Sequence, residues 1–146
     1  MIIEPAARRD LARVVDLLLA QLAEHDIGTP RAGVEAAIAG CFDDPRRAKI
    51  LVARRGAELI GVAYLSFVWA LEHGGLSAWL EELYVAPAER GHGVGRRLLD
   101  AAIDLAVADG CAALDLEVEA THTRVESLYA RAGFRRHSRA RWVKDL

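Results

Sequence analysis

The sequence predicts an α/β (α+β) fold: one domain over residues 1–146, with elements in the order β-α-α-β-β-β-α-β-α-β-β. Three observations predict it. Stripes of apolar residues at helical spacing flank the middle of the chain. Between them lie apolar runs separated by the short turns Arg55-Gly56-Ala57-Glu58 and Glu72-His73-Gly74-Gly75, the pattern of an antiparallel meander. A glycine-rich turn then carries the last of these strands into a second long amphipathic helix.

Met1 to Glu4, apolar before Pro5, reads as an edge strand. Asp10 is placed to cap a first helix whose stripe is Leu11, Val14, Val15, Leu18, Leu19 and Leu22. That helix ends near Glu24-His25-Asp26, with Gly28 as its breaker. Thr29-Pro30 restarts a helix, with threonine as cap and proline at the first position, and Val34, Ala37, Ile38 and Cys41 form its apolar side. Strands follow over 48–54, 59–69 and 77–85. The next helix carries Val94, Leu98, Leu99, Ala102, Ile103, Leu105 and Ala106 and stops at Asp109-Gly110. A buried-type strand is expected over 113–118 and a short helix over 123–132, closed by Gly133. Residues 134–138 and 141–143 are expected to form a terminal hairpin.

Composition narrows the function. Hydrophobic residues make up 53% and charged residues 27%, the balance of a globular chain. A net charge of −2 provides no general attraction for nucleic acid. No apolar run reaches membrane-spanning length, and the start lacks a basic and apolar signal segment, so no membrane partner and a cytoplasmic location are expected. Cys41 and Cys111 sit in apolar or helical contexts and are expected to be small buried side chains.

The stretch that organises the chain runs from Leu80 to Leu99. An apolar strand stops at Pro87, and the turn Arg90-Gly91-His92-Gly93-Val94-Gly95 opens the helix. Glycines remove Cβ atoms and let the backbone bend and approach a ligand closely. The first-turn amides of the helix have no intrahelical acceptor, and with the helix dipole they suit a phosphate or pyrophosphate. Arg90 and Arg96 can add charge beside it. A P-loop would require Gly-Lys-Ser/Thr where the chain has Gly95-Arg96-Arg97. The dinucleotide fingerprint would require a third glycine where Arg96 stands. The alternative is a strand-to-helix turn that holds no ligand.

Arg/Gln-x-x-Gly-x-Gly after a strand ending in Val-x-Pro resembles the acetyl-CoA pyrophosphate loop of the GNAT N-acetyltransferase superfamily. The element order is similar over essentially the whole chain. The resemblance implies a mixed, mostly antiparallel central sheet of six to seven strands, splayed between strands four and five to hold the cofactor, and flanked by four helices. It implies acetyl-CoA as co-substrate, held by Arg90, Gly91, His92, Gly93, Val94, Gly95 and Arg96 and by the backbone of Leu83, Tyr84 and Val85. Downstream, Leu128, Tyr129, Gly133 and Phe134 match a second superfamily motif. His122 stands where the family has an asparagine that helps bind the pantetheine arm, and Val125 where it has alanine.

Amide formation sets the remaining roles. The attacking amine must be neutral although a lysine-like amine has a pKa of about 10.4, so a carboxylate or a water it orders is needed as base. Glu81 and Glu82, next to the implied oxyanion donors, are the candidates. Strand alternation sends them to opposite faces unless a bulge intervenes. Tyr129 is the candidate acid for the leaving thiolate. No covalent enzyme intermediate is required.

Leu80-Glu81-Glu82-Leu83-Tyr84-Val85 and Leu22-Ala23-Glu24-His25-Asp26 resemble stretches of diamine and polyamine N-acetyltransferases, which would turn His25 and Asp26 toward a small cationic amine. Trp69 is a further candidate for lining the substrate site. His73, His92 and His137 show no ligand spacing, so no metal is expected. A homodimer is implied by relatives that pair through their C-terminal strands. The alternatives are a protein or peptide N-terminal acetyltransferase and a non-catalytic acyl-CoA-binding module.

Overall fold

A computed structural model describes residues 1–119 and 122–146. The chain order is β1 (Ile2–Pro5), α1 (Leu11–Glu24), α2 (Arg31–Asp43), β2 (Ala48–Arg55), β3 (Glu58–Ala70), β4 (Gly75–Val85), α3 (Val94–Ala108), β5 (Ala113–Leu116) and α4 (Thr123–Arg131). The strands form one sheet in the order β1-β2-β3-β4-β5. β1 to β4 are mutually antiparallel, and β5 lies parallel to β4. Among the described residues no helix is long and apolar enough to cross a membrane.

Period-two alternation divides the apolar residues between the two sheet faces. Ile50, Val52, Val62 and Tyr84 pack with Val14, Val15, Leu17, Leu18, Val34 and Ile38 of α1 and α2. Their neighbours Leu51, Ala53, Ala63 and Leu65 pack with Val94, Leu98, Leu99 and Ala102 of α3. Cys41 is buried, Cys111 is half-buried, and both are free thiols.

Several expectations are corrected. The sheet has five strands, not six to seven, because the terminal hairpin does not form. Arg135, Arg136, Arg139 and Arg141 leave that segment without an apolar face, and a two-stranded ribbon lacking one is not stable by itself. The tail is held by ion pairs instead: Arg139 to Glu72 at 2.7 Å and Arg141 to Glu117 at 3.0 Å.

Asp10 takes the N-cap position of α1, as expected, but its side chain makes no capping bond to the helix. Its carboxylate turns back to accept from the Ala7 amide at 2.9 Å and pairs with Arg54 at 2.9 Å, closing a short 3-10 turn over Arg8–Asp10. Thr29 does not cap α2: Pro30 is the cap residue and offers no side-chain acceptor. Gly28 is not the breaker of α1, because the chain turns two residues earlier. Asp26 takes the left-handed conformation (φ 56°), the Ile27 amide bonds to the Leu22 carbonyl at 2.9 Å, and the Asp26 amide bonds to Ala23 at 3.3 Å. That is the Schellman pattern, with aspartate where glycine is usual.

β4 and β5 pair over a short ladder. The ladder runs from Ser77–Ala113 to Leu80–Leu116 and ends there. β5 stops at Leu116 rather than continuing to Val118. Among the described residues, β4 beyond Leu80 has a ladder partner only on its β3 side.

Candidate active site

The site is built around an irregularity in β4. Tyr64 pairs with Glu82, but the next residue, Leu65, pairs with Leu80, so Glu81 is an extra residue. The core shows the same phase change. Ala78 and Leu80 face the α3 side, and after the bulge the odd-numbered Leu83 and Val85 face it instead. Glu82 therefore shares the α1/α2 side with Tyr84. Glu81 stays on that side as well: Ser66 Oγ donates to its Oε1 at 2.5 Å. The alternation expected for the two carboxylates is thus broken by the bulge.

Glu82 is half-buried and Glu81 is exposed. Burial raises the pKa of Glu82 and the adjacent Glu81 charge adds to the rise, while His25 and the Gln21 side chain oppose it. Glu82 and Tyr64 help line a cavity of about 150 Å³ between α1, α2 and the sheet, together with Leu18, Leu22, Val34, Ala37 and Ile38, and with Thr29 and Gly33. Burial pushes the Tyr64 phenol well above its ordinary pKa, the neighbouring Cys41 thiol raises it further, and the charges of Glu81 and Glu82 add to the rise.

Tyr129 on α4 is half-buried, with its ring edge-to-face on Phe134 at 5.9 Å. Burial raises its pKa, and the Glu82 charge raises it further. The phenol is thus protonated at neutral pH and lies within electrostatic reach of the carboxylate. Across the sheet gap, His25 at the end of α1 has Nδ1 3.2 Å from Glu119 Oε2 and its ring 4.7 Å from that of His122. Asp26, in the turn, is exposed.

The glycine loop has the expected shape. Gly91 (φ 81°) and Gly93 (φ 77°) take conformations that L side chains rarely adopt, and Gly93 is the residue before α3. The first backbone bond of the helix runs from the Arg97 amide to the Gly93 carbonyl at 3.1 Å. Among the described residues the amides of Gly91 to Arg96 have no backbone acceptor. The two arginines beside the loop each carry an ion pair. Arg90 chelates Glu24 at 2.7 and 2.9 Å, bonds the Val85 carbonyl at 2.9 Å, and stacks 5.3 Å from the Tyr84 ring. It ties the loop to α1. Arg96 is paired with Asp100 on the same helix at 2.8 Å.

Trp69 does not join the cluster. It pairs with Leu76 at the hairpin end of β3, five residues from Tyr64 or roughly 17 Å along the strand, and is 79% exposed.

Gln21, Tyr64 and Glu119 enter the site without having been singled out in the sequence. Gln21 carried a readable signal: a polar residue on the apolar stripe of α1, here only 8% exposed, with its Oε1 unpaired among the described residues. Tyr64 looked like one more aromatic in an apolar strand, and Glu119 lay in a segment with no pattern.

Comparison with known proteins agrees with this geometry. A Bacillus subtilis (strain 168) protein described as an uncharacterized N-acetyltransferase, YhfO, is 34% identical over 85 residues, which are 58% of this chain and 57% of the relative's length. An integron cassette protein from the mobile metagenome of Cole Harbour Salt Marsh superposes with a TM-score of 0.86 at 24% identity, over 99% of this chain and 90% of the other. A predicted acetyltransferase from Clostridium acetobutylicum, solved with acetyl-CoA, gives 0.83 at 15% identity, over 98% and 95%. The profile of the acetyltransferase (GNAT) family matches residues 13–134, and the chain belongs to that family.

Proposed function

We propose that the protein transfers the acetyl group of acetyl-CoA to a primary amine by direct attack within a ternary complex. The observation that carries this reading is the half-buried Glu82 in the lining of a largely apolar cavity, two residues beyond the last β4–β5 ladder pair. A carboxyl of raised pKa, next to an open strand edge and a protonated tyrosine, is the equipment that amide formation needs.

Acetyl-CoA is read into the splay with its diphosphate on the amides of Gly91 to Arg96. The pantetheine arm is read along the open edge of Leu83, Tyr84 and Val85, in the manner of an added strand. Glu82, directly or through a water, takes the proton of the ammonium group. The amine nitrogen then bonds to the thioester carbonyl carbon, and the oxyanion is held by backbone N–H of β4. The C–S bond breaks, the leaving sulfur takes the Tyr129 proton, and the second proton of the amine nitrogen passes to the Tyr129 phenolate, which leaves a neutral amide, a thiol and a phenol. Glu81, exposed and bonded to Ser66, is assigned an electrostatic role at the rim, attracting the cation.

The cavity walls favour one kind of amine. Six of the lining residues are Leu18, Leu22, Val34, Ala37, Ile38 and Tyr64, and the carboxylate among them is Glu82. A monoamine with a short apolar arm fits this chemistry better than a polyamine, whose second charge would meet aliphatic walls. A peptide with a small apolar first residue offers the same head and arm and is the second reading. Acetyl-CoA-dependent thiol release over butylamine, phenethylamine, spermidine and short peptides decides between them. The reading expects the apolar monoamines to show the highest kcat/KM. A ranking led by spermidine would restore the polyamine reading. Coenzyme binding without transfer to any amine would leave the acyl-CoA-binding module.

A homodimer is part of the proposal. Trp69, Leu71, Trp142 and Val143 are exposed, the last two in a tail that forms no strand. Light scattering that gives a monomer mass at micromolar concentration would contradict it.

A further inference from the structure

We infer that His25, Glu119 and His122 form a binding site for a divalent transition metal, zinc above all, which clips the end of α1 to the connection between β5 and α4. One ligand atom from each of the three lies within 4.8 Å of the others. The closest pair is His25 Nδ1 and Glu119 Oε2 at 3.2 Å, and the imidazole rings stand edge to face. Two imidazoles and one carboxylate with a fourth position left to solvent is a zinc-type donor set. Calcium and magnesium prefer all-oxygen shells, so the two nitrogens select against them.

Local backbone structure presents the ligands. The His122 amide donates to the Glu119 carbonyl at 2.8 Å, and the His122 carbonyl accepts from Val125 at 3.2 Å as α4 begins. The two ligands lie three residues apart in the chain, in Glu-x-x-His spacing. His25 is held by the tight end of α1, where its own amide bonds to the Leu22 carbonyl at 3.1 Å. Metal–ligand bonds of about 2.0–2.2 Å put tetrahedral ligand atoms roughly 3.3 Å apart. The 3.2 Å pair already meets that, and the widest pair has to close by about 1.5 Å, within the reach of side-chain rotation.

An ion here would join segments nearly a hundred residues apart in the chain, at the base of the helix that carries Tyr129. The alternative is a hydrogen-bonded histidine–carboxylate pair with no ion. Spacing could not show the site, because the histidines belong to different elements.

The test uses the full chain, stripped with chelator and free of acetyl-CoA, so its outcome does not depend on the transferase reading. Calorimetric titration with zinc chloride is expected to give one ion per chain. At a hundredfold excess over Kd, the melting temperature is expected to rise by roughly 5 °C or more. His25→Ala and His122→Ala should each weaken binding at least tenfold, with Glu119→Gln weaker in effect and His73→Ala without effect. His122→Asn, which keeps a polar side chain before α4, guards against a folding artefact and should lose zinc as well. Cobalt(II), used as a spectroscopic stand-in, should give the intense visible bands of a four-coordinate site. No stoichiometric binding, or zinc binding unchanged in both histidine variants, would overturn the inference.

Discussion

Tyr64 stands directly opposite Glu82 across the β3–β4 ladder, and both side chains line the same cavity. The pairing exists because the next step of the register skips Glu81. Without that extra residue, Glu82 would point to the α3 side, into the aliphatic cluster of Leu65, Leu80 and Leu98. The bulge converts a costly buried charge into a half-buried carboxyl in the lining of a pocket.

Glu82→Gln is expected to lower kcat/KM by about 10²–10⁴-fold, with acetyl-CoA affinity unchanged. Wild-type activity should fall on the acid side as Glu82 is protonated, at a pH above the ordinary glutamate value because burial raises it. The variant should lack that limb. Initial rates from pH 5 to 9 check both.

The same substitution is expected to stabilise the fold. Burial holds the folded-state pKa of Glu82 above its unfolded value, so the folded chain binds the proton more tightly. Stability contributed by this group is full at low pH and is lost as pH rises through the folded pKa. Glu82→Gln should therefore melt higher than wild type at pH 7, and the difference should vanish near pH 4. Thermal melts at the two pH values measure it.

Asp10 carries the opposite sign. Its burial alone would raise the pKa, but the Ala7 amide and the Arg54 guanidinium outweigh burial and hold the carboxyl below its usual value. Its contribution is present at neutral pH and is lost as pH falls through the folded pKa. Asp10→Asn is expected to cost about 1–3 kcal/mol at pH 7, with the two proteins converging in stability at strongly acid pH. Denaturant melts at pH 7 and pH 3 check this.

Much of the fold was legible because periodicity reports burial directly. The stripes of α1 and α3 and the meander of β2, β3 and β4 form with boundaries shifted by a residue or two. What failed depended on information outside each segment. The bulge at Glu81 is a mismatch between two strands, and neither sequence reveals it alone. The terminal hairpin failed because a strand needs a neighbour as well as a pattern. Arg90 could be read as a phosphate ligand until the fold brought Glu24 to it. His25, Glu119 and His122 converge only because β4 and β5 part and α1 ends across the gap.

Tyr129→Phe is expected to reduce kcat by roughly 10²-fold or more while leaving melting temperature and coenzyme affinity near wild type. The ring keeps its edge-to-face contact with Phe134. A substrate with an activated aromatic thioester, whose thiolate needs no proton, should recover most of the loss.

Two glycines separate fold from binding. A Cβ at Gly61 would lie 2.9 Å from the Tyr84 carbonyl oxygen and 2.9 Å from Leu98 Cδ1, so Gly61→Ala is expected to destabilise by about 1–3 kcal/mol. A Cβ at Gly95 meets only Val85 Cγ2, at an ordinary 3.7 Å. Gly95→Ala should fold as well as wild type yet bind acetyl-CoA about tenfold more weakly, because the methyl enters beside the free amides. Melting curves and calorimetric titration separate the two effects.

An amide NMR titration of the full chain with acetyl-CoA reads whether the amides from Gly91 to Arg96 hold the coenzyme diphosphate. The largest shifts are expected at Gly91, Gly93, Gly95 and Arg96, saturating together with those of Leu83 to Val85. Saturable binding that leaves the glycine-loop amides unmoved, or no binding at millimolar coenzyme, would contradict that placement.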